Sequence, residues 1–290
     1  MISKCRRVTE DLNKHPIVVN TTPLINKKSK IFTIGSCFAL EIAQYLIGKN
    51  YNVFNSELDK FVDHNFIWYN TYSILYEFEK AVGSFKQEDN DIWKAQDGRY
   101  QDPYRRCVFS KTKKNLLSTI NDSDKKIKHY IHNADVLIMT LGLVEVWVKK
   151  DNNRVICSTP GYPKGKGAGK DKCFFKVSSY EDNLENIKKS MDLLRTINPN
   201  CNIIITTSPV ALASTFREID HLVANTESKS ILRAVCGQIE REYKNVTYYP
   251  SYEMAMHFNK SDVFKADGRH VKSEFVSIIM QHFENNFMQR

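Results

Sequence analysis

The stretch Ile31-Phe32-Thr33-Ile34-Gly35-Ser36-Cys37-Phe38-Ala39-Leu40-Glu41-Ile42-Ala43-Gln44-Tyr45-Leu46 decides the fold. A short apolar run meets a glycine, and a helical apolar pattern begins directly after it. The pattern predicts a strand over about 30–34, a sharp bend at Gly35 and a helix over about 38–47, ended by Gly48. Phe38, Ile42, Tyr45 and Leu46 share one face of that helix. Ser36 and Cys37, two nucleophile types side by side, fall where the first helical N–H groups point outward. A helix N-terminus carries about half a positive charge, which favours a thiolate or a developing oxyanion. Taken alone, the stretch reads better as an ordinary strand-to-helix turn with a small buried cysteine.

Working outward, the runs at 134–140, 202–207 and 246–250 have the near-continuous apolar character of buried parallel strands. Residues 51–54 add a candidate short strand, and helices are predicted over about 70–82, 122–133, 179–197 and 227–243, with a last one running to Phe287. Strands alternating with helices imply an α/β fold, a mainly parallel sheet covered on both faces. No Gly-, Ser- or Pro-rich linker divides the chain, so one domain over 30–290 with loop insertions is expected, preceded by an extension over 1–29. The irregular stretch 87–106 reads as a mobile surface loop over the sheet edge rather than as a substrate lid. Ligands of open α/β sheets bind beyond the carboxyl ends of the strands. Gly35 to Cys37, Gly142 and Ser208 each follow a predicted strand and are expected on that one rim.

Composition narrows the classes. The chain of 290 residues carries a formal charge of +9, which favours anionic partners. The basic runs are spread along the chain and read as solvated faces. No RRM, zinc-finger or helix-turn-helix signature is present, so no specific nucleic acid is expected. No apolar run is long enough to span a membrane, and residues 1–20 lack the apolar core of a signal peptide, so a cytoplasmic location is expected. Seven cysteines without CxxC spacing argue against disulfides, and no His, Asp or Glu grouping has metal-ligand spacing. Trp68, Trp93 and Trp147 are candidates for stacking on sugar rings, with core packing preferred for Trp147.

A second constellation lies about 230 residues downstream of the turn, in Lys265-Ala266-Asp267-Gly268-Arg269-His270-Val271. One loop presents both Asp267 and His270. A carboxylate beside an imidazole fixes its tautomer and stabilises the imidazolium that forms when it takes a proton. A nucleophile turn early in the chain with Asp-x-x-His late in it is the arrangement of SGNH (GDSL-like) hydrolases.

Gly35-Ser36-Cys37-Phe38-Ala39 spells the motif of the GSCFA family, a branch that resembles those hydrolases. Further ordered blocks resemble the same family: 68–74, Thr140-Leu141-Gly142-Leu143-Val144-Glu145-Val146-Trp147, Thr207-Ser208-Pro209-Val210, 228–233 and 249–253. The resemblance runs from about Ile31 to about Phe287 and implies an SGNH/flavodoxin-like α/β/α sandwich with acyl chemistry. Counted from the glycine, the nucleophile position of the Gly-Asp-Ser turn of SGNH enzymes falls on Cys37, with Ser36 as the alternative. His270 would then be the base and Asp267 its orienting group, and the helix start would lower the Cys37 pKa.

The oxyanion donors are sought in the backbone at Ser36 or Cys37, and at Asn70 and Gly142. SGNH enzymes carry an Asn near the glycine of the later block. Here that place is taken by Glu145, a candidate for binding a sugar hydroxyl instead. Ser208 is a candidate for the rim, and Lys229, four residues before Arg233, for contact with an acidic substrate. The expected activity is an esterase or O-acyltransferase working through an acyl-enzyme, on a carbohydrate or other ester-bearing substrate. No cofactor is required. Acetyl-coenzyme A is a candidate donor, its phosphates met by the Gly- and Lys-rich loop at 163–172. The rival is a non-catalytic glycan- or polyanion-binding module on the same fold.

Overall fold

The computed structural model describes residues 17, 19, 21–57, 66–163 and 167–289. Along the chain come β1 (Ile31–Gly35), α1 (Cys37–Gly48), α2 (Thr71–Val82), β2 (Trp93–Lys94), β3 (Tyr100–Gln101), β4 (Phe109–Ser110), α3 (Lys113–Asn133) and β5 (Val136–Leu141). Then follow β6 (Glu145–Lys149), β7 (Val155–Ile156), β8 (Cys173–Val177), α4 (Tyr180–Ile197), β9 (Asn202–Thr207), α5 (His221–Glu242) and β10 (Val246–Tyr248). Last come α6 (Ser251–His257), α7 (Lys260–Val263) and α8 (Ser273–Phe287).

The central sheet is parallel, in the order β1-β5-β9-β10. Every residue of β1 and β5 is buried, which is why both read as continuous apolar runs rather than alternating ones. The candidate strand at 51–54 reduces to one parallel bridge between Val53 and Ile31, after which a 3₁₀ turn begins at Phe54. The sheet therefore grows in opposite directions from β1. Right-handed crossovers then place α1 on one face and α3, α4 and α5 on the other. The contacts agree: α1 meets α8, while α2 meets α3 and α4, and α4 meets α5. Sequence signals set the helix starts: Asn70 caps α2 through Ser73 N–H, and Ser179 and Asp182 form a capping box on α4.

Two small antiparallel sheets, β2-β3-β4 and β7-β6-β8, fill the span between α2 and α4. They correct the reading of 87–106 as a mobile surface loop. Trp93, Asp102, Tyr104 and Arg105 are all buried. The Arg105 guanidinium donates to the Glu77 carboxylate at 3.0 and 2.6 Å, and the Trp68 indole N–H donates to the same group at 3.0 Å. Charges that looked solvated in sequence are here paired inside. No helix of the described residues is long and apolar enough to cross a membrane.

At the sheet centre β1 and β5 approach closely. Gly35 has φ +130°, and a Cβ built on it would lie 2.1 Å from the Thr140 carbonyl oxygen. Both the conformation and the clash demand glycine. Gly35→Ala is expected to lose roughly 3 kcal/mol or more of stability, or to fail to fold cooperatively. Urea denaturation measures it, and an unchanged midpoint contradicts it.

Candidate active site

The bend at Gly35 delivers Ser36 and Cys37 to the carboxyl end of the sheet, where they face different surroundings. Ser36 is buried. Its N–H donates to the Thr140 carbonyl at 3.0 Å and to Thr140 Oγ1 at 2.9 Å. Its Oγ lies 2.9 Å from Thr140 Oγ1 and accepts from Phe38 N–H at 3.3 Å, capping α1. Ser36 is thus held as a structural cap, and its N–H, one of the expected oxyanion donors, is already spent. Cys37 is the first residue of α1, where the N–H lies outside the intrahelical ladder, and it is half-buried.

Both residues line a cavity of about 360 Å³ that also takes in Asn70, Gly142, Glu145 and Ser208. The β1, β5 and β9 ends and the start of α2 therefore converge as the rim argument expected. Gly142 is wedged: a Cβ there would come 2.6 Å from the Tyr69 carbonyl oxygen and 3.1 Å from Ser36 Cβ. The Asn70 carboxamide accepts from Ser73 N–H at 2.9 Å and donates through Nδ2 to the Ile156 carbonyl at 3.1 Å. One amide N–H remains for another acceptor. Ser208 Oγ accepts from Val210 N–H at 3.3 Å, turning the chain after β9.

Two candidates serve differently from the sequence expectation. Glu145 points at protein: it accepts from Thr215 Oγ1 at 2.5 Å and from Phe216 N–H at 3.3 Å. It thereby ties the segment after β9 across the cavity. Lys229 is no surface contact for an acidic substrate. It is 1% exposed, and its Nζ donates to the Gly142 carbonyl at 2.7 Å. Arg233, expected beside it, instead donates through Nε to Glu253 at 2.5 Å. Trp147, expected in the core, forms part of the cavity wall and meets the Phe216 ring edge-on at 5.0 Å.

Asp267 and His270 are side by side, with His270 Nδ1 2.5 Å from Asp267 Oδ2. That bond and the N–H groups of Arg269 and His270 hold the Asp267 carboxyl well below the usual carboxylate range. The other imidazole nitrogen, Nε2, faces Arg269 Nη2 at 2.7 Å. The His270 side chain is 47% exposed, and the residue of this loop that lines the cavity is Arg269.

The electrostatics of Cys37 also correct an expectation. Burial pushes its thiol up, with Glu41 adding to the rise, while Lys229 and Arg269 pull it down without reversing it. The helix start does not by itself make a low-pKa thiol. Burial likewise drives the Lys229 ammonium down to about 8, opposed by the Cys37 thiolate.

Arg269, Thr140 and the Thr215–Phe216 segment were not singled out by sequence reasoning. Arg269 stands inside the quoted Asp-x-x-His stretch, a cation between the two expected catalytic groups. Thr140, a hydroxyl ending an apolar strand run, was the available signal for the second.

Fold and site together define an α/β protein with a cysteine at a strand-to-helix turn, opening into a cleft walled by loops that follow the strands. The GSCFA family model matches residues 30–283, and the chain belongs to the GSCFA family. Among solved structures, the Clostridium thermocellum family 3 carbohydrate esterase matches at 12% identity over 90% of this chain and 95% of its own, with a TM-score of 0.36. No curated protein matches the chain.

Two predictions test this geometry. Glu145→Ala removes both acceptors from the Thr215–Phe216 segment. The Phe216 amide is then expected to exchange with deuterium at least tenfold faster, while strand β5 keeps its protection. Equal exchange at Phe216 contradicts the tether. The second concerns Lys229, whose pKa falls from 10.5 in the unfolded chain to about 8 on folding. Between those values the unfolded chain holds a proton that the folded protein has released, so the Lys229 contribution to stability rises with pH across that window. Below about pH 8 the folded protein bears the cost of the buried ammonium, on the order of 3 kcal/mol at 1.36 kcal/mol per pH unit. Wild type is therefore expected to gain about 2–3 kcal/mol on Lys229→Met as pH rises from 7.5 to 10.5, read by denaturant titration. Parallel pH profiles contradict it.

Proposed function

We propose that this protein is an SGNH-like acyl hydrolase or O-acyltransferase that forms an acyl-enzyme on Cys37. The observation that carries the reading is the placing of Cys37: it opens α1 and lines the cavity with Gly142 and Asn70 beside it. Ser36 comes second, because its hydroxyl is engaged by Thr140 and by the α1 cap.

Cys37 Sγ attacks the acyl carbonyl, an S–C bond forms, and the tetrahedral oxyanion meets the Cys37 N–H with the free Asn70 amide N–H and the Gly142 backbone as further donors. The C–O or C–S bond to the leaving group breaks, and the leaving atom receives a proton. Water or a sugar hydroxyl then attacks the thioester, the S–C bond breaks, and the thiol regains a proton. The Asp267–His270 pair moves these protons. Nδ1–H is held on Asp267, so Nε2 is the working nitrogen once Arg269 gives up its hydrogen bond. Arg269, at the cavity wall, suits a substrate or donor with an anionic group, acetyl-coenzyme A among them. The described part of the loop at 163–172 packs with Gly169 against Trp93, and residues 164–166 of the expected phosphate cradle lie outside the described residues. Apolar walls from Leu143, Val146, Trp147 and Phe216 suit an acyl chain or a sugar face. The setting proposed for this reaction is the cytoplasm.

One observation favours the second reading, a glycan- or polyanion-binding module. His270 Nε2 is turned to Arg269 rather than to the cavity. Intact-protein mass after brief exposure to acetyl-coenzyme A or p-nitrophenyl acetate separates the two. An acetyl adduct is expected that maps to Cys37, persists in Ser36→Ala and is absent from Cys37→Ala. His270→Ala is expected to slow its turnover 10²- to 10⁴-fold. No adduct from either donor, together with salt-sensitive binding to heparin, favours the module.

A further inference from the structure

Among the described residues no carboxylate pairs with Lys229, a buried cation behind the turn that carries Cys37. Its ammonium carries three N–H donors, and among these residues its hydrogen bond goes to the Gly142 carbonyl. A carbonyl dipole alone does not offset removal of a full charge from water. Among the described residues the ionisable group that acts on Lys229 is Cys37. The two side chains reach one place from opposite ends of the chain. Cys37 opens α1, and Lys229 projects from the middle of α5. Gly142 joins them: its carbonyl is bound by Lys229, its α-carbon abuts Ser36, and it lines the cavity with Cys37.

The Asp267–His270 pair does not fill this position. Both imidazole nitrogens are engaged, by Asp267 and by Arg269, and the side chain is not part of the cavity wall. The other groups acting on Cys37 are Arg269 from the same loop as His270, Glu41 one turn along α1, and Tyr69, which precedes α2. Of the two cations, Lys229 acts more strongly on Cys37 than Arg269 does.

We propose that Lys229 is the positioning residue and charge partner of Cys37: its ammonium, anchored on the Gly142 carbonyl, stabilises the thiolate and fixes the Gly142 peptide beside it. The step is an ionisation. The Cys37 S–H bond breaks, its electron pair stays on sulfur, and the proton leaves to solvent or to the His270 imidazole. Below its own midpoint of about 8 Lys229 keeps its proton through that step. The proposal rests on Cys37 being the nucleophile but not on any acyl donor.

Alkylation of Cys37 by iodoacetamide tests it, followed by peptide mass across pH in wild type, Lys229→Met and Lys229→Arg. Lys229→Met is expected to slow alkylation at pH 7.5, where Lys229 is charged, about tenfold. Lys229→Arg, which keeps the charge, is expected to stay within about threefold of wild type. Equal rates at pH 7.5 in wild type and Lys229→Met overturn the proposal, as does an equal slowing in both variants. If Lys229→Met does not fold, the pH dependence of alkylation in wild type reads the same coupling. The rate is expected to climb tenfold per pH unit below about 8 and to flatten as Lys229 loses its proton there. A steady tenfold climb through that range overturns the proposal. A coupled pair in a protein that takes no acyl group leaves Lys229 as proposed and removes the acyl-enzyme instead.

Discussion

Gly35 rests directly on the Thr140 carbonyl, and the site depends on that contact. The same carbonyl accepts Ser36 N–H, and the Thr140 hydroxyl takes up the Ser36 side chain. A larger residue at 35 would push β1 off β5, and Ser36 would lose the partners that aim α1. With the turn pinned, the next residue in the chain has one place to go, the first position of α1 at the cavity edge. The different surroundings of Ser36 and Cys37 thus follow from packing at Gly35. Ser36 serves the backbone, and Cys37 is the residue proposed as nucleophile.

The second constraint is electrostatic. Two cations, Lys229 and Arg269, act on a thiol that burial alone makes harder to ionise. Desolvation and charge stabilisation oppose each other, and the thiol remains raised. A thiol of this kind is mostly protonated at neutral pH, so the proposed acyl transfer needs a nearby charge or base to ionise it. Exposure separates the roles of the cations. Lys229 is sealed and acts on Cys37, whereas Arg269 stands at the cavity wall.

The sheet was legible in the sequence because buried parallel strands are apolar on both sides, and 202–207 needed no adjustment at either end. Helix starts were less so. The helix expected from 122 begins at Lys113, because its first two turns are polar and half exposed, with Leu116 and Ile120 as their buried apolar anchors. The small sheets were missed because two-residue strands are too short for a period, and because Asp102 and Arg105 read as surface until Glu77 is found beside Arg105. At the site, residues legible by type were found where strand ends place them, as with Cys37 and Gly142. Lys229 was misread because a lysine on a helix is nearly always solvated, and nothing local in sequence announces the Gly142 carbonyl waiting for it.

That misreading bears on how the chemistry is divided. In a serine nucleophile the base must lie within hydrogen-bond reach, because the hydroxyl does not ionise on its own near neutral pH. A thiol ionises far more readily, so a nearby fixed charge can do part of what a base must do for serine. Replacing serine by cysteine at the turn therefore relaxes the demand on the imidazole. In the proposed reaction His270, oriented on Asp267 and linked to Arg269, serves the leaving group and the incoming acceptor rather than holding the nucleophile's proton. An Asp–His pair outside the cavity wall and a buried lysine behind the cysteine are then two parts of one arrangement. In the proposed reaction the first moves protons and the second stabilises charge on the thiol.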